Sequence, residues 1–282
     1  MPPLHRPTAS HAAPSADRLQ PLGRFPLAAR RRIRGVFTDI DETLTTAGRL
    51  TAAAYAALER LRAAGFLTVP ITGRPAGWCD HIARMWPVDA VVGENGAFYF
   101  RYDAAARRLV KRYLAAPAER AAARRRLEAV RDRILAEVPE AALASDQPYR
   151  EADLAIDWCE DVPRLPPEAV DRIQRLFEEA GATARISSIH VNGWFGAYDK
   201  LGMTRILMRE AFGIDLDAAR EEFVFVGDSP NDAPMFAFFE HSVGVANVAR
   251  FAGRLDAEPK YVACAAAGAG FAELAERIAG GR

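Results

Sequence analysis

The sequence lacks an excess of either charge: Lys and Arg number 37 and Asp and Glu number 37. A generic nucleic-acid binder carries a basic surplus, so that class is disfavoured. Cysteine is scarce. Cys79, Cys159 and Cys264 lie far apart, form no CxxC pair and leave one thiol over in any pairing. That excludes a zinc-ribbon spacing and a disulfide scaffold, and fits packing residues in a reducing, cytoplasmic compartment. Long apolar runs are missing as well. No stretch approaches the roughly 18 residues of a membrane span, and the opening MPPLHRPTASHAAPSADRLQPLGRFP has no continuous apolar segment of the secretion-signal kind. Its Pro, Ala, Ser and His content reads as a flexible lead-in over residues 1–30. A transit peptide is the weaker reading, because prolines break the helix it needs. No internal repeat is found.

What is present is ordinary for a globular chain. Of 282 residues, 50% are hydrophobic and 26% charged, enough to bury a sizeable core in one large domain or two smaller ones. After the basic run 30–34, Val36–Ile40 is short, β-prone and ends in acids, as a buried parallel strand does. Thr51 can cap a helix that Gly65 ends, and a second apolar strand, 66–73, leads into a helix with Pro75 in its first turn. A third strand spans 88–96. This is the βαβ rhythm of a doubly wound α/β sheet. A hairpin about a DAA turn, a long Ala/Arg/Glu helix from 117 to 138, a strand at 154–158, a helix at 167–180 and a strand pair at 182–195 then break the rhythm. From Asp199 the parallel pattern resumes. The expected organisation is a parallel-sheet α/β core, 31–97 and 196–282, interrupted by an inserted α+β domain at 98–195.

Chemistry-bearing residues gather at the predicted strand ends. Asp39 and Asp41, two apart, point the same way on an extended backbone, at the sheet edge where open α/β folds bind ligands. One carboxylate of such a pair can attack a phosphoryl group while the other handles a proton. Gly227-Asp228-Ser229-Pro230-Asn231-Asp232 adds carboxylates and an amide, and clustered hard oxygens suit Mg²⁺. An Asp capping the next helix is the plainer alternative. Thr72-Gly73-Arg74 ends the second strand at a helix start, where free N–H groups favour an anion. Lys200 opens the first helix after the insert and can neutralise a carboxylate and a phosphate together.

With these four signals in chain order, the sequence resembles the haloacid dehalogenase-like phosphohydrolases. Within them it resembles the subgroup with an inserted α/β cap, subfamily IIB, which includes Cof-type and sucrose-phosphatase-like members. FTDIDETLT matches the first motif, ITGRP the second, Lys200 the third and GDSPND the fourth. The resemblance implies a Mg²⁺-dependent phosphatase of small phosphorylated metabolites, with no nucleic-acid or membrane partner. Asp39 is then the nucleophile, Asp41 the acid and base, and Thr43 a loop support. Mg²⁺ rests on Asp39, the Asp41 carbonyl and Asp228, supported by Asn231 and Asp232. Thr72, Gly73 and Lys200 hold the phosphoryl oxygens. A phosphomutase, or a non-catalytic metabolite-binding member, is the alternative. The cap is expected to select the leaving group. Asn95 at the core–insert junction could touch substrate or simply make a turn. Alternation places Ser188, His190, Asn192 and Trp194 on one strand face, a set that suits a sugar phosphate; the plainer reading packs Trp194 and His190 in the insert's interior. Arg74 could fork onto a phosphate. The local +7 charge between residues 101 and 133 reads as a solvated helix face.

Overall fold

Gly35–Thr38 is buried at all four positions, as a strand with parallel neighbours on both edges must be. It pairs in parallel with Leu67–Pro70 on one side and with Phe223–Gly227 on the other. Beyond Phe223–Gly227, the strands His241–Gly244, Tyr261–Val262 and Gln20–Pro21 complete a six-stranded parallel sheet. The computed structural model describes residues 19–281. Helices cover both faces. Ala52–Ala63, whose Ala54 N–H is capped by Thr51 Oγ1 at 3.3 Å, packs on one face with Ala76–Met85 and Ala267–Ala279. Lys200–Phe212 and Ala233–Phe238 cover the other. Among the described residues no helix is long and apolar enough to cross a membrane, and no disulfide forms; Cys79 is buried, whereas Cys159 is only half-buried and Cys264 is exposed.

The insert builds its own antiparallel sheet, in the order Ala142–Leu143, Leu154–Asp157, His190–Trp194, Thr183–Ile186. Helices Pro117–Glu137 and Pro167–Glu179 pack against it through Leu127, Val130, Ile134, Val170, Ile173 and Phe177. Gly193 is required in the middle strand, because the Phe177 ring occupies the space a Cβ would take. The arginine-rich helix buries only Leu127, Val130 and Ile134, in keeping with a solvated basic face.

Two boundaries differ from the sequence expectation. The hairpin Phe98–Asp103 and Arg108–Tyr113 pairs with Val91–Gly93, which bridges to Ile71 at the end of the core strand. Phe98 and Phe100 pack into the core beneath Ala76–Met85. The hairpin therefore extends the core, and the insert's own sheet and helices begin near Pro117; the alternation of an antiparallel pair carries no sign of which sheet it joins, so sequence places it with the insert. Residues 1–18 lie outside the described residues, but 19–30, expected within the flexible lead-in, are packed. Gln20–Pro21 pairs with Tyr261–Val262, Leu22 and Phe25 are buried, and the Phe25 ring stacks on Tyr261 at 5.0 Å.

Before the hairpin the chain turns sharply. Glu94, Asn95 and Gly96 have φ of 43°, 53° and 107°. A side chain on Gly96 would run into the Asp199 carbonyl. At that contact the chain re-enters the core, and Asp199 caps Lys200–Phe212 by accepting the Gly202 N–H at 2.7 Å.

Candidate active site

The register of the central strands decides what meets at their ends. Thr38 lies opposite Val226, so Asp39 and Asp228 emerge side by side. Lys200, first residue of its helix, reaches in from the other element: its Nζ donates to Asp39 Oδ1 and to Asp232 Oδ1, both at 2.7 Å. The second Asp232 oxygen accepts the backbone N–H groups of Asp228 at 3.0 Å and Ser229 at 3.3 Å. Gly227 lets this carboxylate fold back, because a Cβ there would collide with it. Asn247 donates to Asp228 Oδ2 and to the Glu42 carbonyl, both at 2.9 Å. It ties the two acidic loops together and was not singled out from the sequence, although it sits just past the strand His241–Gly244, at the same sheet edge.

Asp39, Asp228 and Asp232 bring carboxylate oxygens within 4.8 Å of one another, all buried. With all three carboxylates ionised, the one ammonium would leave the cluster two positive charges short. Burial lifts the Asp39 carboxyl to about 7; Lys200 opposes the rise, while Asp232 and Asp41 add to it. Burial, then Asp39 and Asp232, push Asp228 well above the carboxylate range. Burial disfavours the Lys200 ammonium, but Asp232 and Asp39 outweigh it and keep it charged. Asp228 Oδ1 has no hydrogen-bond partner among the described residues. Hard oxygen donors, a charge deficit of two and an orphaned carboxylate oxygen fit a divalent ion of the Mg²⁺ kind.

The loop after the first strand is held differently from expectation. Among the described residues the Thr43 hydroxyl has no partner; Thr45 Oγ1 instead accepts the Glu42 N–H and donates to the Ile40 carbonyl, both at 3.2 Å. Thr72 is buried at the second strand end with its Oγ1 accepting the Arg74 N–H at 3.0 Å. Close by, Gly73 packs against the amides of Asn95 and Asn192. Asn95 accepts from Asn231 Nδ2 at 3.4 Å, and its own Nδ2 is buried without a partner among the described residues.

Arg74 is not free to fork onto a phosphate. Its Nε donates to both Asp41 oxygens, at 2.9 and 3.0 Å, and its terminal nitrogens reach Asp146 and Glu160 of the insert. The expected sugar-binding face is likewise internal. His190 Nε2 lies 2.9 Å from Glu160 Oε2, Asn192 donates to Asp153 at 3.0 Å, and Trp194 stacks on Tyr198 with its indole N–H directed to the Tyr198 carbonyl at 3.3 Å. The reason is electrostatic: this face docks on the core through buried carboxylates, and polar side chains are used up in pairing them. Only Ser188, whose Oγ lies 3.4 Å from the Asp41 carbonyl, also lines an open cleft.

A connected set of charges therefore holds the insert down. Arg150, wholly buried, pairs with Asp146 and Asp153 and donates to the Gly73 carbonyl at 2.7 Å. Glu94 accepts N–H groups from Ala76, Glu151, Ala152 and Asp153. Asp157 shapes the Glu160 turn by accepting the N–H groups of Cys159, Glu160 and Asp161. Burial would raise Glu160, but His190 and Arg74 outweigh it and hold the carboxyl at about 2, against an ordinary 4.5. A depressed carboxyl stabilises the fold above its unfolded value and loses that contribution as pH falls toward its folded value. The denaturation midpoint of the protein should thus exceed that of Glu160→Gln at pH 6, with the gap closing between pH 4.5 and about 2. A gap that stays constant over that interval would show that Glu160 does not latch the insert.

Residues 36–124 match the family described as haloacid dehalogenase-like hydrolase. No curated protein matches the sequence. Solved structures resemble the chain over most of its length. The C-terminal domain of C. albicans trehalose-6-phosphate phosphatase is 13% identical with a TM-score of 0.64, covering 90% of this chain and 95% of that one. The Synechocystis sucrose-phosphatase, solved with sucrose and phosphate, is 14% identical at 0.60, covering 87% and 98%. A haloacid dehalogenase-like hydrolase from Bacteroides thetaiotaomicron is 18% identical at 0.58, covering 87% and 99%. At these identities the likeness is one of fold. The matched segment is haloacid dehalogenase-like, and the chain shares with these structures a fold of parallel core and inserted domain.

Proposed function

We propose, from that fold and segment, that the chain is a Mg²⁺-dependent phosphomonoesterase acting on small phosphorylated metabolites of the sugar-phosphate class. The observation that carries the reading is Lys200 bridging Asp39 and Asp232 beside the unpartnered Asp228 oxygen. Mg²⁺ would be held by Asp39, Asp228 and the Asp41 carbonyl, with Asp232 and Asn231 in support, and would neutralise charge on the phosphoryl oxygens.

Asp39 attacks phosphorus through a carboxylate oxygen, and the bond from phosphorus to the substrate's alcohol oxygen breaks. Asp41, once protonated, gives that oxygen its proton and the alcohol leaves. Water then attacks the aspartyl-phosphate, passes a proton to Asp41 and releases inorganic phosphate, regenerating the Asp39 carboxylate. Lys200 stands against Asp39 throughout, and the Thr72 hydroxyl and Gly73 N–H orient the phosphoryl oxygens. Arg74 holds Asp41 in this geometry, so the acid becomes available when the leaving oxygen takes the guanidinium's place or the insert shifts. Most of the catalysis in such transfers is positioning and charge neutralisation, which a buried site with fixed donors supplies. Scarce, unpaired cysteines suit a cytoplasmic setting.

Phosphate release from a panel of sugar phosphates, nucleotides and an aryl phosphate tests this. Release with Mg²⁺ should fall at least about tenfold with chelator and return when Mg²⁺ is restored, because two uncompensated negative charges at the site repel the substrate. Release that is indifferent to chelator would sink the metal assignment.

A further inference from the structure

Beside the acid cluster a cleft of about 690 Å³, its open mouth included, separates the insert from the core. Trp158, Arg164 and Ser188 line it from the insert, and Asp228, Arg250 and Phe251 from the core. Asp228 lines it, so the proposed metal would border the cleft. Its charges are unevenly committed. Arg254, also on the cleft, is bound across it to Asp171 at 2.6 Å. Arg250 has a carboxylate no nearer than Glu42, at 3.9 Å. Arg164 lies over the Trp158 ring at 4.7 Å, and no carboxylate of the described residues pairs with it. Trp158 is itself buried, with an indole N–H that has no partner among the described residues. Trp158 and Phe251 give apolar walls, while the Arg164 guanidinium and the Trp158 indole N–H have no acceptor among the described residues and Arg250 has only its long pair with Glu42.

We propose that the alcohol portion of the substrate occupies this cleft and carries a second anionic group, a carboxylate or a second phosphate, recognised by Arg164 and Arg250. The inference rests on the phosphomonoesterase reading above. A planar guanidinium meets a carboxylate or phosphate through two parallel hydrogen bonds. The cleft favours anionic leaving groups over neutral sugars because Arg164 has no carboxylate partner among the described residues and Arg250 has only the long 3.9 Å pair with Glu42, so each guanidinium gains a charge-assisted partner when a substrate anion enters.

The test compares kcat/KM, with Mg²⁺, for a hexose 6-phosphate, the corresponding 6-phosphohexonate, a hexose 1,6-bisphosphate and an aryl phosphate. At least one dianionic-skeleton substrate should exceed the hexose 6-phosphate about tenfold or more, a preference that shrinks with added salt. Whether the hexonate or the bisphosphate leads distinguishes carboxylate from phosphate. In the Arg164→Gln/Arg250→Gln protein the preference should collapse to within about threefold; both residues are exposed, and a far-ultraviolet spectrum and melting curve confirm folding. Equal kcat/KM for the neutral and anionic partners would overturn the inference and leave the phosphatase standing. A preference that survives the double substitution would overturn the assignment to these arginines. No release from any compound, the aryl phosphate included, would overturn both readings.

Discussion

Asp39→Asn should lower phosphate release by about four orders of magnitude or more, since removing the nucleophile of an enzyme that works through a covalent intermediate leaves only the binding and charge terms. The substitution is close to isosteric, so the strand end and the Lys200 helix stay in place. It should also have a second, opposite consequence. Burial already lifts Asp39 to about 7, with Asp232 and Asp41 adding to the strain of its charge. Replacing it with a neutral amide relieves repulsion in a cluster that has three acids and one ammonium. Without metal, the variant should therefore melt no lower than the parent, while added Mg²⁺ should raise its melting temperature less. Turnover comparable to the parent, in protein freed of host phosphatases, would remove Asp39 from the nucleophile's role.

Lys200→Met should act in the other direction on the fold. Lys200 is buried and makes two 2.7 Å ion pairs. Methionine keeps much of the apolar stem but leaves Asp39 and Asp232 facing each other with no cation between them. Breaking a buried pair in this way costs about 3–5 kcal/mol, because the abandoned charge stays desolvated. The loss should appear as a lower urea midpoint in metal-free protein, accompanied by loss of phosphate release. Adding Asp39→Asn to the same chain should return part of it, since one of the abandoned charges is then gone; the double-substitution cycle measures that coupling. A midpoint unchanged by Lys200→Met would mean that the ammonium does not carry the cluster's charge balance.

The fold was legible where strand and helix periods alternate and the loops between them carry functional groups. Gly35–Thr38, Leu67–Pro70 and Phe223–Gly227 are short apolar runs ending in acids or in Thr-Gly, and parallel pairing at adjacent registers is what brings those ends together. The Lys200 contact was readable only through family resemblance, since no local pattern tells a lysine at a helix start which carboxylates it will meet. Less legible was everything that depends on docking one sheet against another. Alternation puts Ser188, His190 and Asn192 on one face, but cannot show that His190 meets Glu160 and Asn192 meets Asp153 instead of solvent. Arg74 looked like a phosphate ligand because its acidic partners Asp146 and Glu160 lie 72 and 86 residues away. The hairpin after Gly96 was assigned to the insert, since strand pattern alone does not say which neighbour a strand will choose, and packing of residues 19–30 depends on a strand near the opposite end of the chain.

The central strand Gly35–Thr38 has one sheet neighbour at 67–70 and the other at 223–227. During synthesis at about 5–20 residues per second, the second neighbour emerges roughly 8–30 s after the first. Between those moments the nascent core exposes an unpaired edge at its central strand, buried at all four positions in the finished fold. The insert, whose sheet and helices all lie between 117 and 194, can complete its own hydrogen bonding in that interval. The outermost pair, Gln20–Pro21 with Tyr261–Val262, closes last, so the earliest residues of the sheet are among the final ones to be secured. A ribosome-bound chain halted before residue 223 is accordingly a species with a finished cap and an unfinished catalytic half, and the point at which chaperone protection matters most for this topology.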